Sequence, residues 1–348
     1  MELLNTLYVT VPGSYLRLDN GTLRVLQDDE TRLRIPLHHL RGVVCFGHIG
    51  LSAPLMHELA ESGIALVLLD EHGRFKARLE GPTSGNVLLR RAQYGRVDDP
   101  EFCVAIARSC IAGKVRNSRQ VLQRGAREAK VEADASALAR GAQDLAASLR
   151  ALPNTSSMDV LRGVEGEAAR RYFECIPLLL RPDLRKDFGM TARTRRPPLD
   201  PFNALLSFLY SMWMNDCRSA IEAIGLDPQV GYLHVIRPGR AALALDLMEE
   251  FRPFADRLAL TLLNLKALVR RDFEIRTGGA VSLTPDGRKK VVLAYQERKQ
   301  DQISHPLLET AVPLGLIPFV QARLLARTIR GEKDLDGTST SYVPFITH

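Results

Sequence analysis

The chain has 348 residues, with 47 Lys+Arg against 40 Asp+Glu and a net charge of +7. Hydrophobic residues at 45% and charged residues at 25% exclude a disordered or fibrous chain, and the length favours two domains. No apolar run approaches the roughly 18–20 residues that cross a bilayer. Met1-Glu2-Leu3-Leu4 places an acid where a signal peptide carries positive charge, so neither export nor membrane insertion is expected. Cys45, Cys103, Cys110, Cys175 and Cys217 form no CxxC, which argues against a disulfide framework or zinc ribbon and suits a reducing cytoplasm.

Residues 1–80 read as β-rich. Thr6 to Val11 alternates, and Asp19-Asn20-Gly21 is a hairpin signal between Tyr15–Leu18 and Leu23–Leu26. Val43–Phe46 and Ile64–Leu69 are further strand candidates, separated by a helical stretch from Ala53 to Ser62 that Gly63 closes. Gly81-Pro82-Thr83-Ser84-Gly85 reads as a linker, with 81–100 leading into a helical part. From about Pro100 to Leu152 the chain is Ala-rich and helical, with breaks expected near Gly113 and Gly125. Asn154-Thr155-Ser156-Ser157 offers N-caps to a helix over Asp159 to Glu174. Asn203 to Ala223 is a further helix, Gly231 to Ile236 an extended piece, and Arg240 to Phe251 helix again. A hairpin is expected around Gly278-Gly279, then a helix N-capped by Thr284 with Pro285 at its first position. The tail from Gly331 to 348 is rich in Gly, Ser and Thr and reads as mobile.

Charge is unevenly distributed. Residues 1–85 hold 8 Lys+Arg against 10 Asp+Glu, a net of −2, so the remainder carries +9. A basic C-terminal part suits polyanion binding, and a solvated basic surface explains the same count.

No Walker phosphate loop, HExxH or GxSxG is present. His38, His39 and His48 lie among strands without carboxylate spacing and read as surface or core imidazoles. Three other segments stand out: Arg162–Phe173, where Gly163 and Gly166 flank Glu165; Gly231-Tyr232-Leu233-His234; and Leu243–Pro253, where Asp246 and Glu249 share one helix face. Two glycines inside a helix cost about 1 kcal/mol each relative to Ala, and close approach of another chain or ligand beside Glu165 is one reason to keep them. An acid near an apolar helix face is costly unless paired or cation-bound, although a solvated face accounts for Asp246 and Glu249 taken alone. His234 in its apolar stretch is equally compatible with a hydrogen-bonded core imidazole.

Taken in order, Gly-Val-Glu-Gly-x-x-Ala-x-x-Tyr-Phe, Asn203-Ala204-Leu205-Leu206, Gly-Tyr-Leu-His and Leu-Asp-Leu-Met-Glu-x-Phe-Arg-Pro strongly resemble the CRISPR-associated adaptation endonuclease/integrase family. The likeness spans nearly the whole chain. Arg237-Pro238-Gly239-Arg240 and Leu293–Lys299 look most like the subtype I-C branch. The resemblance implies an α+β chain of two domains. These are a β-sandwich-like N-terminal domain (1–80) used for homodimerisation and an all-α catalytic domain (101–330).

It also implies divalent-metal ligands, falling on Glu165, His234 and Glu249, with Asp246 and Asn203 as supporting groups. Mg²⁺ or Mn²⁺ is the expected cofactor, since two carboxylates and an imidazole make a mixed oxygen/nitrogen site. Such a site serves hydrolysis or strand transfer from a 3′-hydroxyl alike, because only the nucleophile differs. The implied partners are DNA, a second copy of the chain and a small companion adaptation protein. Candidate DNA-backbone contacts are Arg162, Arg193, Arg195, Arg196, Arg237, Arg240, Lys289 and Lys290. Two other functions remain open at this stage: a catalytically silent DNA-binding assembly subunit, and an RNA-directed nuclease on the same scaffold.

Overall fold

A computed structural model describes residues 6–40, 42–71, 75–79, 81, 87–308, 310–333 and 340–347. The N-terminal part runs β1 (Thr6–Val9), β2 (Tyr15–Asp19), β3 (Thr22–Gln27), β4 (Glu30–Pro36), β5 (Gly42–Phe46), β6 (Gly50–Leu51), α1 (Ala53–Glu61), β7 (Ala65–Leu69) and β8 (Phe75–Leu79). It makes two four-stranded sheets, ordered β1-β5-β7-β8 and β4-β3-β2-β6. The Asn20-Gly21 turn works as its sequence requires: both residues take positive φ (47° and 69°), and Asp19 pairs with Thr22 across it. Leu16, Leu23 and Val25 of one sheet and Val9, Val43, Cys45 and Leu66 of the other share a core with Leu55 and Leu59 of α1.

The first sheet is covered on both faces, which is why β5 is buried at every position and reads as an unbroken apolar run. Its second face sends Val44, Phe46, Val67 and Leu69 into the core of the helical part. Phe46 stacks on Phe208 at 5.7 Å between ring centroids.

The helical part runs α2 (Val87–Val97), α3 (Pro100–Glu128), α4 (Glu132–Ala151), α5 (Met158–Cys175), α6 (Arg185–Phe188), α7 (Pro201–Ile224), α8 (Ala242–Met248) and α9 (Arg252–Asn264). It continues through β9 (Phe273–Ile275), β10 (Val281–Leu283), α10 (Pro285–Gln300), β11 (Gln302–His305), β12 (Thr310–Pro313) and α11 (Ile317–Arg330). The chain is thus α+β, with strands first and helices after. The helical part is not purely α, because β9–β10 and β11–β12 are hairpins within it. Within the expected linker and helical entry, α2 forms over 87–97, while Pro82 to Gly85 lie outside the described residues.

Three sequence expectations need correction. Neither Gly113 nor Gly125 breaks a helix: α3 runs through both and ends at Glu128. The two glycines are there for close packing instead. A Cβ on Gly113 would fall 2.8 Å from Pro344 Cβ and 3.0 Å from Glu250 Cγ, and one on Gly125 would fall 2.0 Å from Leu179 Cδ2.

The 231–236 segment forms no strand; it is a loop folded onto α8.

Nor is the whole tail loose. Residues 334–339 lie outside the described residues, but Tyr342 and Phe345 are buried. Phe345 stacks against Phe251, Phe254 and His305 at 5.6–6.0 Å between centroids. Its carbonyl accepts from Asn117 Nδ2 at 2.9 Å, and its N–H donates to Glu250 Oε2 at 2.7 Å. Two buried aromatic side chains and these hydrogen bonds strap the Gly/Ser/Thr-rich segment across α3.

Candidate metal and phosphodiester site

The three sequence segments meet beside α3. Glu165 lies mid-way along α5, whose N-cap Ser157 accepts from Val160 N at 3.4 Å. Its flanking glycines do not serve packing within the chain: a Cβ on Gly163 or Gly166 would meet nothing within 4 Å. Both are exposed, so bare backbone faces outward on either side of Glu165.

The Gly-Tyr-Leu-His segment wraps a carboxylate. Asp246, 1% exposed on α8, accepts from the backbone N–H groups of Tyr232 (2.6 Å), Leu233 (3.0 Å) and His234 (2.9 Å). The ring of His234 places Nδ1 2.7 Å from Asp246 Oδ1. Only glycine fits at position 231, because a Cβ there would fall 2.6 Å from the carbonyl carbon of Ala242 and 2.7 Å from Asp246 Oδ2. Gln93 of α2 pins the preceding turn, donating to the carbonyls of Asp227 (2.8 Å) and Val230 (2.9 Å). With Nδ1–H donated to a carboxylate, the lone pair of the neutral imidazole stands on Nε2. That nitrogen lies 3.8 Å from Glu249 Oε1.

Glu249 follows α8 in a 3₁₀ turn and is 3% exposed. Its Oε1 accepts from Arg252 Nε at 2.8 Å, and its Oε2 lies 2.7 Å from Lys114 Nζ. Burial pushes the Glu249 carboxyl up, but the neighbouring charges, those of Arg252 and Lys114 above all, outweigh it and hold the group well below the usual carboxylate range. Lys114 also donates to Glu165 Oε1, so one ammonium joins the two acids. With Lys114 between them, no set of three or more His, Cys, Asp or Glu side chains among the described residues closes into a metal-ligand shell.

Below the site, the guanidinium groups of Arg252 and Arg193 lie 4.8 and 5.4 Å from the centroid of the Tyr210 ring. Tyr210 and Tyr172 donate to Asp256 at 2.6 and 3.0 Å. Burial raises the Asp256 carboxyl to about 6 despite these donors.

The expected supporting groups divide. Asp246 orients His234, with both its oxygens already taken by four donors. Asn203 does not reach the three candidate ligands: it accepts from Arg193 Nη1 (2.6 Å) and Thr194 N (3.2 Å) and donates to Ala192 O (2.8 Å) and Asp200 Oδ2 (2.6 Å). It therefore fixes the 192–200 loop and, through it, Arg193.

The basic candidates divide too. Lys290 is committed to Asp272 at 2.8 Å, and Arg162 donates to Leu233 O at 3.1 Å, steadying the His234 loop. Arg193 is half-buried by its bonds to Asn203 and Ser207. Arg240 is partly buried, with a 3.5 Å bond to Val235 O. Arg195, Arg196, Arg237 and Lys289 are exposed.

Sequence reasoning missed Lys114, Arg252 and the role of Gly231. It also missed an open cleft of about 430 Å³ between α3, α9 and the tail, lined by Arg124, Arg127 and Arg257 with Gln120 and Thr347. Asn117 and Ser118, polar yet placed among the apolar positions of α3, were the available hint that this helix borders a polar site.

Comparison with known proteins decides the family. The profile described as CRISPR associated protein Cas1 matches residues 7–297. The chain belongs to the Cas1 family. A CRISPR-associated endonuclease Cas1 of Moorella thermoacetica is 52% identical over 345 residues, covering 99% of this chain and 98% of its own. A second, from Rhodospirillum rubrum, is 50% identical over 339 residues, covering 96% and 97%. Among solved structures, a Cas1 protein from Thermotoga maritima superposes with TM-score 0.79 at 23% identity, covering 95% of this chain and 99% of its own. A casposase bound to integration product gives TM-score 0.80 at 23% identity, covering 97% and 94%. A Cas6-RT-Cas1–Cas2 complex gives 0.80 at 24%, covering 97% of this chain and 36% of that one. These structural likenesses establish a shared fold. No helix among the described residues is long and apolar enough to cross a membrane.

Proposed function

We propose that this Cas1 chain is a divalent-metal-dependent DNA endonuclease and integrase that inserts new spacers into CRISPR arrays. The observation that carries the reading is the convergence of three separate elements: Glu165 and Glu249 meet on Lys114, and His234 Nε2 lies 3.8 Å from Glu249 Oε1. The donors suit Mg²⁺ or Mn²⁺: two carboxylates and an imidazole whose second nitrogen is tied to a carboxylate. Glu249 Oε2 is buried and receives no well-directed hydrogen bond, leaving a lone pair for a cation. Glu165, His234 and Glu249 would hold the ion. When bound, the cation supplies positive charge to the scissile phosphodiester and the departing oxygen.

The chain's own residues do the rest. Asp246 keeps the His234 proton on Nδ1 and fixes the ring; Arg252 holds one oxygen of Glu249 in place. The bare backbone at Gly163 and Gly166 lets a strand approach Glu165 without a side chain in the way. Exposed Arg195, Arg196, Arg237 and Lys289 supply sequence-independent backbone contacts. Water as nucleophile gives cleavage; a DNA 3′-hydroxyl gives strand transfer.

The reading extends to the subtype I-C branch, to a homodimer formed through the β-rich part, and to a complex with a small companion adaptation protein in the cytoplasm. The naming of one neighbour as a Cas1–Cas2 complex and of another as a casposase on its product supports the partner and the DNA. The test is strand transfer of a short duplex into a repeat-bearing plasmid, with companion protein present and Mn²⁺ varied. Integration products are expected only with the metal, and substrate competition with RNA is expected to leave them unchanged.

A further inference from the structure

Lys114 stands where the two acids converge, and that position carries a consequence for how the site loads. Its ammonium is 2.7 Å from Glu249 Oε2 and donates to Glu165 Oε1, and its side chain is only 13% exposed. Glu249 does not need this second cation for neutralisation, since Arg252 already holds its other oxygen at 2.8 Å. The Lys114 contact with Oε2 also lacks hydrogen-bond direction, which makes it the more replaceable of the two. An Arg fork held over Tyr210 is fixed in place, whereas a lysine is a point charge on a flexible four-carbon stem.

Resting on the metal-site reading above, we infer that Lys114 is a resident counter-ion. It holds Glu165 and Glu249 together in the metal-free protein, and a divalent cation must displace it to reach the same oxygens. Two carboxylates from separate elements repel when no cation lies between them, so the lysine keeps the ligands assembled. An ammonium and a divalent ion cannot share one oxygen pair at contact distance, so the lysine also sets the metal concentration at which the site fills. Lys114 is thus a positioning residue and a competitor; a lysine serving structure alone would not compete.

The test is calorimetric titration of the full chain with Mn²⁺, without DNA, for wild type, Lys114→Met, Lys114→Arg, Glu165→Ala and Glu249→Gln. Met keeps the apolar stem and removes the charge. The Met variant is expected to bind Mn²⁺ at least ~10-fold more tightly than wild type; Arg, which keeps the charge, stays near wild type, and Glu165→Ala loses binding. Melting in EDTA is expected to be lower for Lys114→Met, with a larger upward shift on adding Mn²⁺. Should the Met variant fail to fold, Lys114→Gln carries the same comparison. Mn²⁺ affinity equal to or weaker than wild type in the neutral variant, with Glu165→Ala still unable to bind, overturns the inference and leaves the site reading in place. Mn²⁺ binding that neither Glu165→Ala nor Glu249→Gln alters removes the site reading and this inference with it.

Discussion

Replacing Asp246 with Asn tests the geometry of the His234 loop most sharply. The carboxylate takes three backbone N–H groups and the His234 ring at 2.6–3.0 Å, all in a buried position. An amide offers one accepting oxygen and turns an NH₂ towards the remaining donors. If its oxygen stays with His234, the N–H groups of Tyr232 and Leu233 face a donor. Hydrogen bonds to a charged group contribute about 1.5–3 kcal/mol each, and a buried donor left unpaired costs about 1–3 kcal/mol. With two buried donors left facing an NH₂, a destabilisation of about 2–6 kcal/mol follows. If the amide flips, the backbone keeps its acceptor and the imidazole loses its partner, which frees the tautomer. The variant is therefore expected to lower the urea midpoint and to weaken Mn²⁺ binding by about 10–100-fold. Denaturant unfolding and Mn²⁺ titration measure the two effects. An Asn variant matching wild type in both would refute the role given to this carboxylate.

Three further outcomes are expected. Gly113→Ala puts a Cβ 2.8 Å from Pro344 and 3.0 Å from Glu250, so the tail strap must shift, and thermal melts should show a loss of about 1–3 kcal/mol. Gly163→Ala and Gly166→Ala meet open space and should each stabilise α5 by about 0.4–1 kcal/mol in the same melts, while reducing DNA affinity in a binding titration. Asp256 carries a carboxyl raised by burial to about 6, so the folded state binds a proton that the unfolded state has lost between roughly pH 4 and 6. This group's contribution to stability therefore falls as pH rises through that window. Asp256→Asn should remove a drop on the order of 2 kcal/mol from the difference between the pH 4 and pH 6 unfolding curves.

The residues of the candidate site stood out in the sequence because each is costly where it stands, and it was the family resemblance that joined them into one ligand set. Glu165 between two glycines, a histidine in an apolar loop and two acids in an apolar helix each conflict with local propensity. Among the N-terminal strands, β1 to β3 were legible from alternation and the turn signal, β5 and β7 from short apolar runs, and the Asn20-Gly21 turn from its need for positive φ, whereas β4, β6 and β8 were not read. Other features left weaker traces. A lysine on a long helix looks like any solvated cation, so Lys114 gave no signal apart from its polar neighbours Asn117 and Ser118. Gly113 and Gly125 resemble helix breaks, and only the chain lying against them shows that they are points of contact. The tail's Gly, Ser and Thr content concealed Tyr342 and Phe345, whose burial depends on partners more than 80 residues away in sequence, such as Glu250. Asn203 lay in a matching segment, yet its bonds serve a loop that no sequence spacing places.

The most direct measurement compares wild type with Glu165→Ala and His234→Ala in DNA cleavage and strand transfer, in Mn²⁺ and in EDTA, with folding checked by circular dichroism. Product is expected from wild type in Mn²⁺ alone, with both folded variants inactive. Equal turnover in EDTA, or a folded Glu165→Ala protein working at the wild-type rate, would contradict the central claim.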